Sequence, residues 1–527
     1  MREPGPVAPH DVEVHVADLP PTLPIVLPVC RQLGIAAIVD RLVPMNGGDH
    51  LTHGQVAEFL VLHLLQAPHR LPLYELEDWA AENCVEALYG HRADKFNDDR
   101  IGRTLDALAE HVADVETALV TRALELYHIP VNAIHWDLTS VTFSDAKQAT
   151  ELVGVGYGGG TIHRRQVQMS LHTTDVGAIP LRHQILPGKA HQAPLAAPML
   201  TDLRDRLSTS DLIIASDRAG VCYDNIGSYR TAKAHFIAPL SVLDPQLRQA
   251  LAAVPEDDFA PLRYRSMNAP ESGYRYYATE VRLQPKQRPT PITVDALFVL
   301  SEGLKQRAGE KRRERIAKAQ QRLDEINGHL HKPTNKRGYA QRDYTQRQID
   351  KAIPAALAPI VRSELTGEPG ALQLRHWLDE EALAQAALGD GRYVLVYDLP
   401  PSYTPDEIFE LYRRQGRIEA RFRNFSQELL VHPLWLHNDP RIVALLLIFV
   451  VALLVYSLLE WLSERAGLAT RYYHKMTTRE MMKRFRQLRL VEVRVRGQPT
   501  RRQIELSDRQ QHILHELGFK SPIHYLP

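Results

Sequence analysis

Apolar residues recur at spacings of three and four up to about Tyr127, in GQVAEFLVLHLLQ, LYELEDWAAENC and DDRIGRTLDALAEHVADVETALVTRALEL, which predicts a helical N-terminal part. Gly54, Pro68 and Pro72 punctuate it. The pattern then changes. NAIHWDLTSVTF is rich in aromatic and β-branched residues with partial alternation, so Asp137 is expected inside a strand, where an ionised carboxylate needs a partner. RRQVQMSLHTT alternates about Val167, Met169 and Leu171, and IPLRHQILPG follows after the turn residues Asp175 and Gly177, giving a three-stranded meander. APLAAPMLTDLRDRL returns to helical spacing through Leu195, Met199, Leu203 and Leu207. The short apolar run in STSDLIIASDRAG predicts a buried strand that delivers Asp217 from its C-terminal end, with a turn at Gly220. KAHFIAPLSV supplies a fifth strand.

A long insertion follows, at about residues 245–395. It carries strand-like YRYYATEVRL and PITVDALFVL, a charged helix from about Leu304 to Leu330, and a polar loop in NGHLHKPTNKRGYAQRDYTQ. The helix segment KQRAGEKRRERIAKAQQR reads either as a solvated face or as a DNA contact. In TPDEIFELYRRQGRIEARFRNF, Thr404 as N-cap, Pro405 at the first position and Glu407 three residues after the cap start a further helix. Ile408, Leu411, Tyr412, Phe422 and Phe425 keep helical spacing, and Tyr412 and Glu419 share a face that borders the buried side. Arg413, Arg417 and Arg421 repeat every four residues on an adjacent face, joined by Arg414 and Arg423, so a polyanion could lie along this helix; a solvated, salt-bridged helix is the alternative. RIVALLLIFVVALLVYSLLEWL meets the lower length of a membrane span, but Arg441 and Glu460 flank it closely and Tyr456 and Ser457 break its far end. A buried core helix is favoured over a membrane-anchored reading. From Arg471 the chain is basic, with aromatic residues interleaved, as for a phosphate-binding surface or a charged cover for the apolar helix.

Composition narrows this picture only in part. The 527 residues leave room for two or three domains, and 44% hydrophobic content can fill their cores. Lys plus Arg equals Asp plus Glu at 63 each, so any attraction to nucleic acid must be local. Cys30, Cys84 and Cys222 are few and widely separated, which argues against a disulfide framework or a thiolate zinc site and suits a reducing cytosol. No leader pattern opens the sequence, so secretion is not implied and no membrane partner is expected. His163, His172, His183 and His191 lack tight metal-ligand spacing and are taken as structural or DNA-facing. The boundaries expected are 1–127 (helical), 128–244 and 396–465 (two parts of a catalytic domain), 245–395 (insertion) and 466–527 (basic C-terminal region).

Asp137, Asp217 and Glu419, if they converge, offer the oxygen ligands that Mg²⁺ or Mn²⁺ requires, with water positions left open. The order of elements resembles the ribonuclease H-like fold of DDE transposases and retroviral integrases. HWDLTSVTF resembles the first-acid strand of bacterial insertion-sequence transposases of the IS-four-like superfamily, in its branch with long N-terminal domains. GYGGGTIHRRQVQMSLHTTDVGAIPLRHQILPGKAHQ resembles their G-Y-G and P-G region, and ASDRAG their second-acid motif. The third motif of that family is Y-x2-R-x3-E-x6-K. Tyr412 and Glu419 match it, Gln415 and Ser426 replace its arginine and lysine, and Arg414 stands one residue early. The resemblance implies an α/β protein with a ribonuclease H-like mixed five-stranded sheet, flanking helices, a helical N-terminal domain and a long α/β insertion before the glutamate helix. It further implies DNA strand cleavage and transfer with two Mg²⁺ or Mn²⁺ ions, Asp137 bridging and Asp217 and Glu419 each completing one. Tyr412, Arg413, Arg414, Arg417 and Arg421 would contact DNA. The implied partners are double-stranded DNA, as element terminal repeats and target, and a second copy in a homodimer on paired ends. The implied location is cytoplasmic, at the bacterial nucleoid. The N-terminal helices would recognise terminal repeats or serve dimerisation. Gln415 and Ser426 keep open an inactive or domesticated relative that binds DNA without cutting, and a nuclease of the same fold remains a further alternative.

Overall fold

The computed structural model describes residues 12–45, 50–66, 73–83, 85–143, 150–158, 161–190, 212–218, 223–241, 245–266, 271–283, 290–331, 338–429, 436, 438–470, 475–495 and 498–526. It is a mixed α/β protein that divides into two units, residues 1–234 with 413–527, and residues 235–412.

The first unit opens on strand β1 (Val12–Leu19) and a series of helices, among them Thr22–Leu33, Ile35–Leu42, His53–Gln66, Asp98–Ala109 and Val112–Tyr127. Gly34 turns the chain between the first two by adopting φ +71, a conformation that costs a residue with a Cβ about 1–2 kcal/mol. Gly54 does not punctuate the pattern, as the sequence suggested, but lies within the first turn of its helix. There a Cβ would come 2.0 Å from the Ala36 carbonyl oxygen, and its N–H donates to Asp40 Oδ1 at 2.6 Å, so two helices approach through it. Pro68 and Pro72 lie outside the described residues.

Strand β2 (Ala133–Thr142) follows, then β3 (Gly154–Gly158), β4 (Thr161–Thr174), β5 (Pro180–Leu186) and β6 (Ile213–Ser216). β4 pairs antiparallel with β2 along one edge, and with β3 and then β5 along the other. β6 runs parallel to β2. The β4–β5 turn occupies Asp175–Ala178, with φ +77 at Gly177 and φ +48 at Ala178, as the turn signals Asp175 and Gly177 suggested. Val167, Met169 and Leu171 are fully buried on one face of β4, and the four residues of β6 are all buried. The helix expected at Leu195–Leu207 lies outside the described residues.

The second unit contains β7 (His235–Leu240), β8 (Ala260–Pro261), β9 (Tyr274–Leu283), β10 (Ile292–Ser301), the hairpin β11 (Val361–Thr366) and β12 (Gln373–Leu378), and β13 (Arg392–Asp398). KAHFIAPLSV forms a strand, β7, as expected, and within this unit the order is β7-β13-β10-β9-β8 with every pair antiparallel. The helix Glu302–Leu330 begins on the Ser301 hydroxyl, which accepts from Leu304 N–H. It buries Ile316, Ala319, Leu323 and Ile326 against Ile349 of the helix Arg342–Ala352 and against Val361, Leu365 and Leu374 of the hairpin, so the insertion has a core of its own.

The chain returns to the first unit through the helix Gly416–Arg423 and the apolar helix Asp439–Arg465. The latter packs against the helices Thr22–Leu33, His53–Gln66, Asp98–Ala109 and Val112–Tyr127 and against β5. Within its most apolar window 94% is buried inside the protein, and burial on all sides accounts for the absence of a polar face. By length and composition the paired helices Thr22–Leu42 also reach a span's hydropathy, but Gly34 interrupts them. The basic C-terminal region includes β14 (Leu488–Val495) and β15 (Gln498–Ile504), with β14 central in an antiparallel sheet β1-β14-β15.

Of the four histidines singled out above, His183 is buried and joined to Glu116 of the helix Val112–Tyr127, and His172 stacks on Trp136; the side chain of His163 and the whole of His191 lie outside the described residues. Burial pushes the Glu116 carboxyl up, yet His183 and Arg182 beside it more than offset this and hold it below the ordinary range. Its stabilising contribution is therefore present above an unfolded-state pKa of about 4.3 and is lost as pH falls through the depressed folded value. Glu116→Gln is expected to cost about 3 kcal/mol at pH 7, because it leaves the half-buried Arg182 guanidinium facing an amide. Urea unfolding of both proteins from pH 7 to pH 3 should show the difference shrinking below about pH 4.3.

Candidate active site

Register brings two of the three candidate acids together. β2 and β6 pair in parallel up to Trp136 opposite Ser216, and the next residue on each strand is Asp137 and Asp217. Neighbouring strands lie about 4.8 Å apart, so the two carboxylates leave the sheet side by side. Asp137 is half-buried and accepts the Leu138 N–H at 2.7 Å. Burial, above all, pushes its pKa up to about 7; the Leu138 N–H pulls the other way, and the charges of Asp217 and of Glu419 add to the rise. Glu419, more than 200 residues further on, therefore lies near enough for its charge to reach Asp137.

Glu419 is exposed on the helix Gly416–Arg423. The helix expected to run unbroken from Thr404 to Phe425 is divided. It starts as anticipated, with Thr404 and Glu407 capping each other reciprocally, but the segment Pro405–Arg413 ends at a turn through Arg414 and Gln415. After Arg423 the backbone widens into a π-helical turn over Asn424–Glu428, which includes the half-buried Ser426. Gly416 is a poor helix-interior residue, and Gln415 is drawn inward. Its Oε1 lies 2.8 Å from His135 Nδ1, and its Nε2 donates to the Trp136 carbonyl oxygen at 3.4 Å. With the amide so oriented, Nδ1 of His135 carries the proton. Burial, ahead of every other influence, lowers His135 to about pKa 4, so the ring is neutral. Gln415 thus fastens the chain one helical turn before Glu419 to the strand face that carries Asp137 two residues after His135.

The arginines divide by role. Arg421 is buried; it donates to the carbonyl oxygens of Ala178 and Gly177 and to Glu460 Oε2 at 2.8 Å, which corrects its expected place on a DNA-facing surface. Burial pushes the Glu460 carboxyl up, but Arg421 and Lys475 more than offset it and hold it low. Arg414 donates to Asp175 Oδ2 at 2.8 Å and Arg417 to the Asp175 carbonyl oxygen at 3.1 Å, so both brace the helix against the β4–β5 turn. Arg417 keeps an exposed side chain, and Arg413 and Arg414 are half-exposed. Tyr412 falls in the second unit, its ring centroid 6.5 Å from that of Tyr393. His135, Asp175 and Glu460 carry weight that sequence reasoning did not give them. For His135 the available signal is a polar residue two positions before a strand acid, hence on the same face.

Three carboxylates, hard oxygen donors of which Asp217 and Glu419 add to the rise at Asp137, are a donor set suited to Mg²⁺ or Mn²⁺, whose charge would relieve the crowding at Asp137. Among the described residues, no three His, Cys, Asp or Glu side chains close around a common point at metal-ligand range.

Residues 16–120 match the model of a domain of unknown function, DUF4277. No curated protein matches the sequence. Among solved structures, the chain is similar to a cryo-EM structure of the piggyBac transposase synaptic complex with hairpin DNA, at 10% identity over 88% of this chain and 84% of that one. The TM-score is 0.29.

The Gln415–His135 contact has a measurable worth. Gln415→Leu keeps the volume but leaves a buried N–H without an acceptor and is expected to cost about 1–3 kcal/mol. A double-mutant cycle with His135→Leu, followed by urea unfolding, should return a coupling of about 0.5–3 kcal/mol, because the double variant leaves neither partner unsatisfied.

Proposed function

We propose that this chain is a transposase of the bacterial insertion-sequence type, which cuts DNA at the ends of a mobile element and transfers the cut strand to a target. The observation that carries the reading is that the charges of Asp217, just past the end of β6, and of Glu419, on a helix, both act on Asp137 in the middle of the adjacent strand β2. The order of β5, β4, β2 and β6, three antiparallel strands and a parallel fourth, supports a ribonuclease H-like core.

In this reading Asp137, Asp217 and Glu419 would hold two Mg²⁺ or Mn²⁺ ions. When bound, such ions supply Lewis-acid activation of a water or a 3′-hydroxyl and stabilise the leaving oxygen of an in-line displacement. The chain's own part is positioning. The sheet fixes Asp137 and Asp217 by register, Gln415 and Arg421 fix the helix that presents Glu419, and the half-buried setting of Asp137 strengthens its interaction with any cation by limiting water. Arg417, exposed and braced, and the half-exposed Arg413 and Arg414 stand beside Glu419 as phosphate-binding candidates. Double-stranded DNA as ends and target, a homodimer on paired ends and a cytoplasmic, nucleoid-associated location belong to the same proposal.

A second reading, a relative that binds DNA without cutting it, is favoured by Gln415, whose side chain is spent inside the protein where the resembling family has an arginine. Cleavage decides between them. Asp137→Ala is expected to abolish Mg²⁺-dependent nicking of element-end DNA, a loss of at least about 1,000-fold, while changing DNA affinity less than about threefold. Nicking that survives the substitution would overturn the assignment; absence of nicking in the unaltered protein would select the second reading. Joining of a cut end to target DNA separates transposition from simple nuclease action.

A further inference from the structure

The helix Glu302–Leu330 carries a row of cations that its own packing does not use. Arg307, Lys311, Arg315, Lys318 and Arg322 are all exposed, and their spacing of four, four, three and four residues keeps them within about 80° of azimuth at 100° per residue. The row runs about 22 Å along the helix. Its centre stands about 100° from the buried side formed by Ile316, Ala319, Leu323 and Ile326, so it faces solvent along one flank of the core. The exposed acids Glu310, Glu314 and Asp324 lie beyond the edge of the row away from the buried side, Glu314 by only about 20°, and the exposed Glu325 falls on the row's own azimuth one turn past Arg322.

Other cations on the same helix have structural partners. Lys305 is paired with Glu256, and Arg312 with Asp390. Within the row, Lys318 touches Glu314 at 2.7 Å, but both side chains are about two-thirds exposed, at 68% and 65%, and an exposed i,i+4 pair is worth too little to hold the lysine from a stronger anion. Arg307 donates to the Gly303 carbonyl oxygen at 3.1 Å, which directs its side chain without neutralising it. Between Arg307 and Arg322 the row's sector of about 80° holds five cations and no acid, a bias that solubility alone does not require. A solvated helix gains more from alternating signs.

We infer that this row is a binding surface for the phosphate backbone of duplex DNA, read without regard to base sequence. The inference rests on the function proposed above. Duplex DNA presents a phosphate about every 3.4 Å of axis on each strand, so a 22 Å row of cations at intervals of about 4.5–6 Å can follow one strand across several phosphates. The insertion's own core, formed by the helix Arg342–Ala352 and the hairpin β11–β12, holds the row straight and already ordered, so little entropy is lost when it docks.

The test uses the full chain and a random-sequence duplex, with affinity measured against salt concentration. The variant combining Arg307→Gln, Lys311→Gln, Arg315→Gln, Lys318→Gln and Arg322→Gln removes the row; Arg313→Gln, an exposed cation off the row, is the control. Each phosphate contact contributes about 0.9 to the slope of log K against log salt, so the five-site variant should flatten that slope by about 4–4.5 and weaken binding at least about tenfold at 0.1 M salt. Arg313→Gln should leave both unchanged. Helical circular dichroism checks that the five-site variant folds; if it does not, each of the five substitutions is measured singly, with a slope change approaching 0.9 expected from each. Equal slopes for the variant and the unaltered protein would overturn this inference and leave the proposed function standing. An unaltered protein with no affinity for duplex DNA would overturn both.

Discussion

Arg421 is the point at which distant parts of the first unit are tied together. A buried guanidinium is expensive to take out of water, and it is tolerated only where its donors are met and its charge is opposed. Here the carbonyl oxygens of Gly177 and Ala178 and the carboxylate of Glu460 do both, and Lys475 reaches the same carboxylate at 3.3 Å. The hairpin turn, the glutamate helix, the apolar helix and the segment after it are thereby joined at one place. Glu419 stands two residues before this anchor and four after Gln415, so a short helix held at both ends presents an exposed acid beside a rigid sheet.

The apolar helix makes that anchor possible. Asp439–Arg465 gives up every face to protein, and its near end is held by the Asp439 contact with Thr150 and by the paired contacts of Arg441 with Asp106. Its far end brings in Glu460, the one acid within the buried stretch, where only a cationic partner makes an ionised carboxylate affordable. The hydropathy that imitates a membrane span and the ion pair that fixes the glutamate helix are consequences of the same burial. Gly177 completes the fit, since a Cβ there would meet the Trp461 ring at 3.1 Å.

What the residues disclosed in advance follows from how local each signal is. Alternation about Val167, Met169 and Leu171, the apolar run of β6 and the turn at Asp175 and Gly177 are set by neighbours in sequence, and they appear where expected. The reciprocal cap of Thr404 and Glu407 is local as well. The fate of the arginines is not. A spacing of four places Arg417 and Arg421 on one helical face, but whether that face meets solvent or carbonyl oxygens depends on a hairpin more than 200 residues away. Gln415 was visible as a departure from a pattern; that it seeks His135 required the sheet. Gly54 shows the same limit, since turn and close contact both call for glycine and only packing tells them apart.

The break at Arg414 and Gln415 bears on how a contiguous motif is used. Tyr412 closes the second unit and Glu419 stands in the first, so residues that seem to share one helical face are assigned to different folding units. A continuous helix would fix their relation by geometry alone, seven residues and about 10 Å apart. With the helix broken and then widened over Asn424–Glu428, the position of Glu419 is governed instead by the side chains that hold its segment, Gln415 on one side and Arg421 on the other. An arginine at position 415 would bring a charge to the buried, neutral ring of His135, whereas glutamine satisfies that ring and the Trp136 carbonyl together. Glutamine at 415 is therefore matched to its surroundings, and the neighbouring Arg414 and Arg417 are engaged in bracing the turn at Asp175.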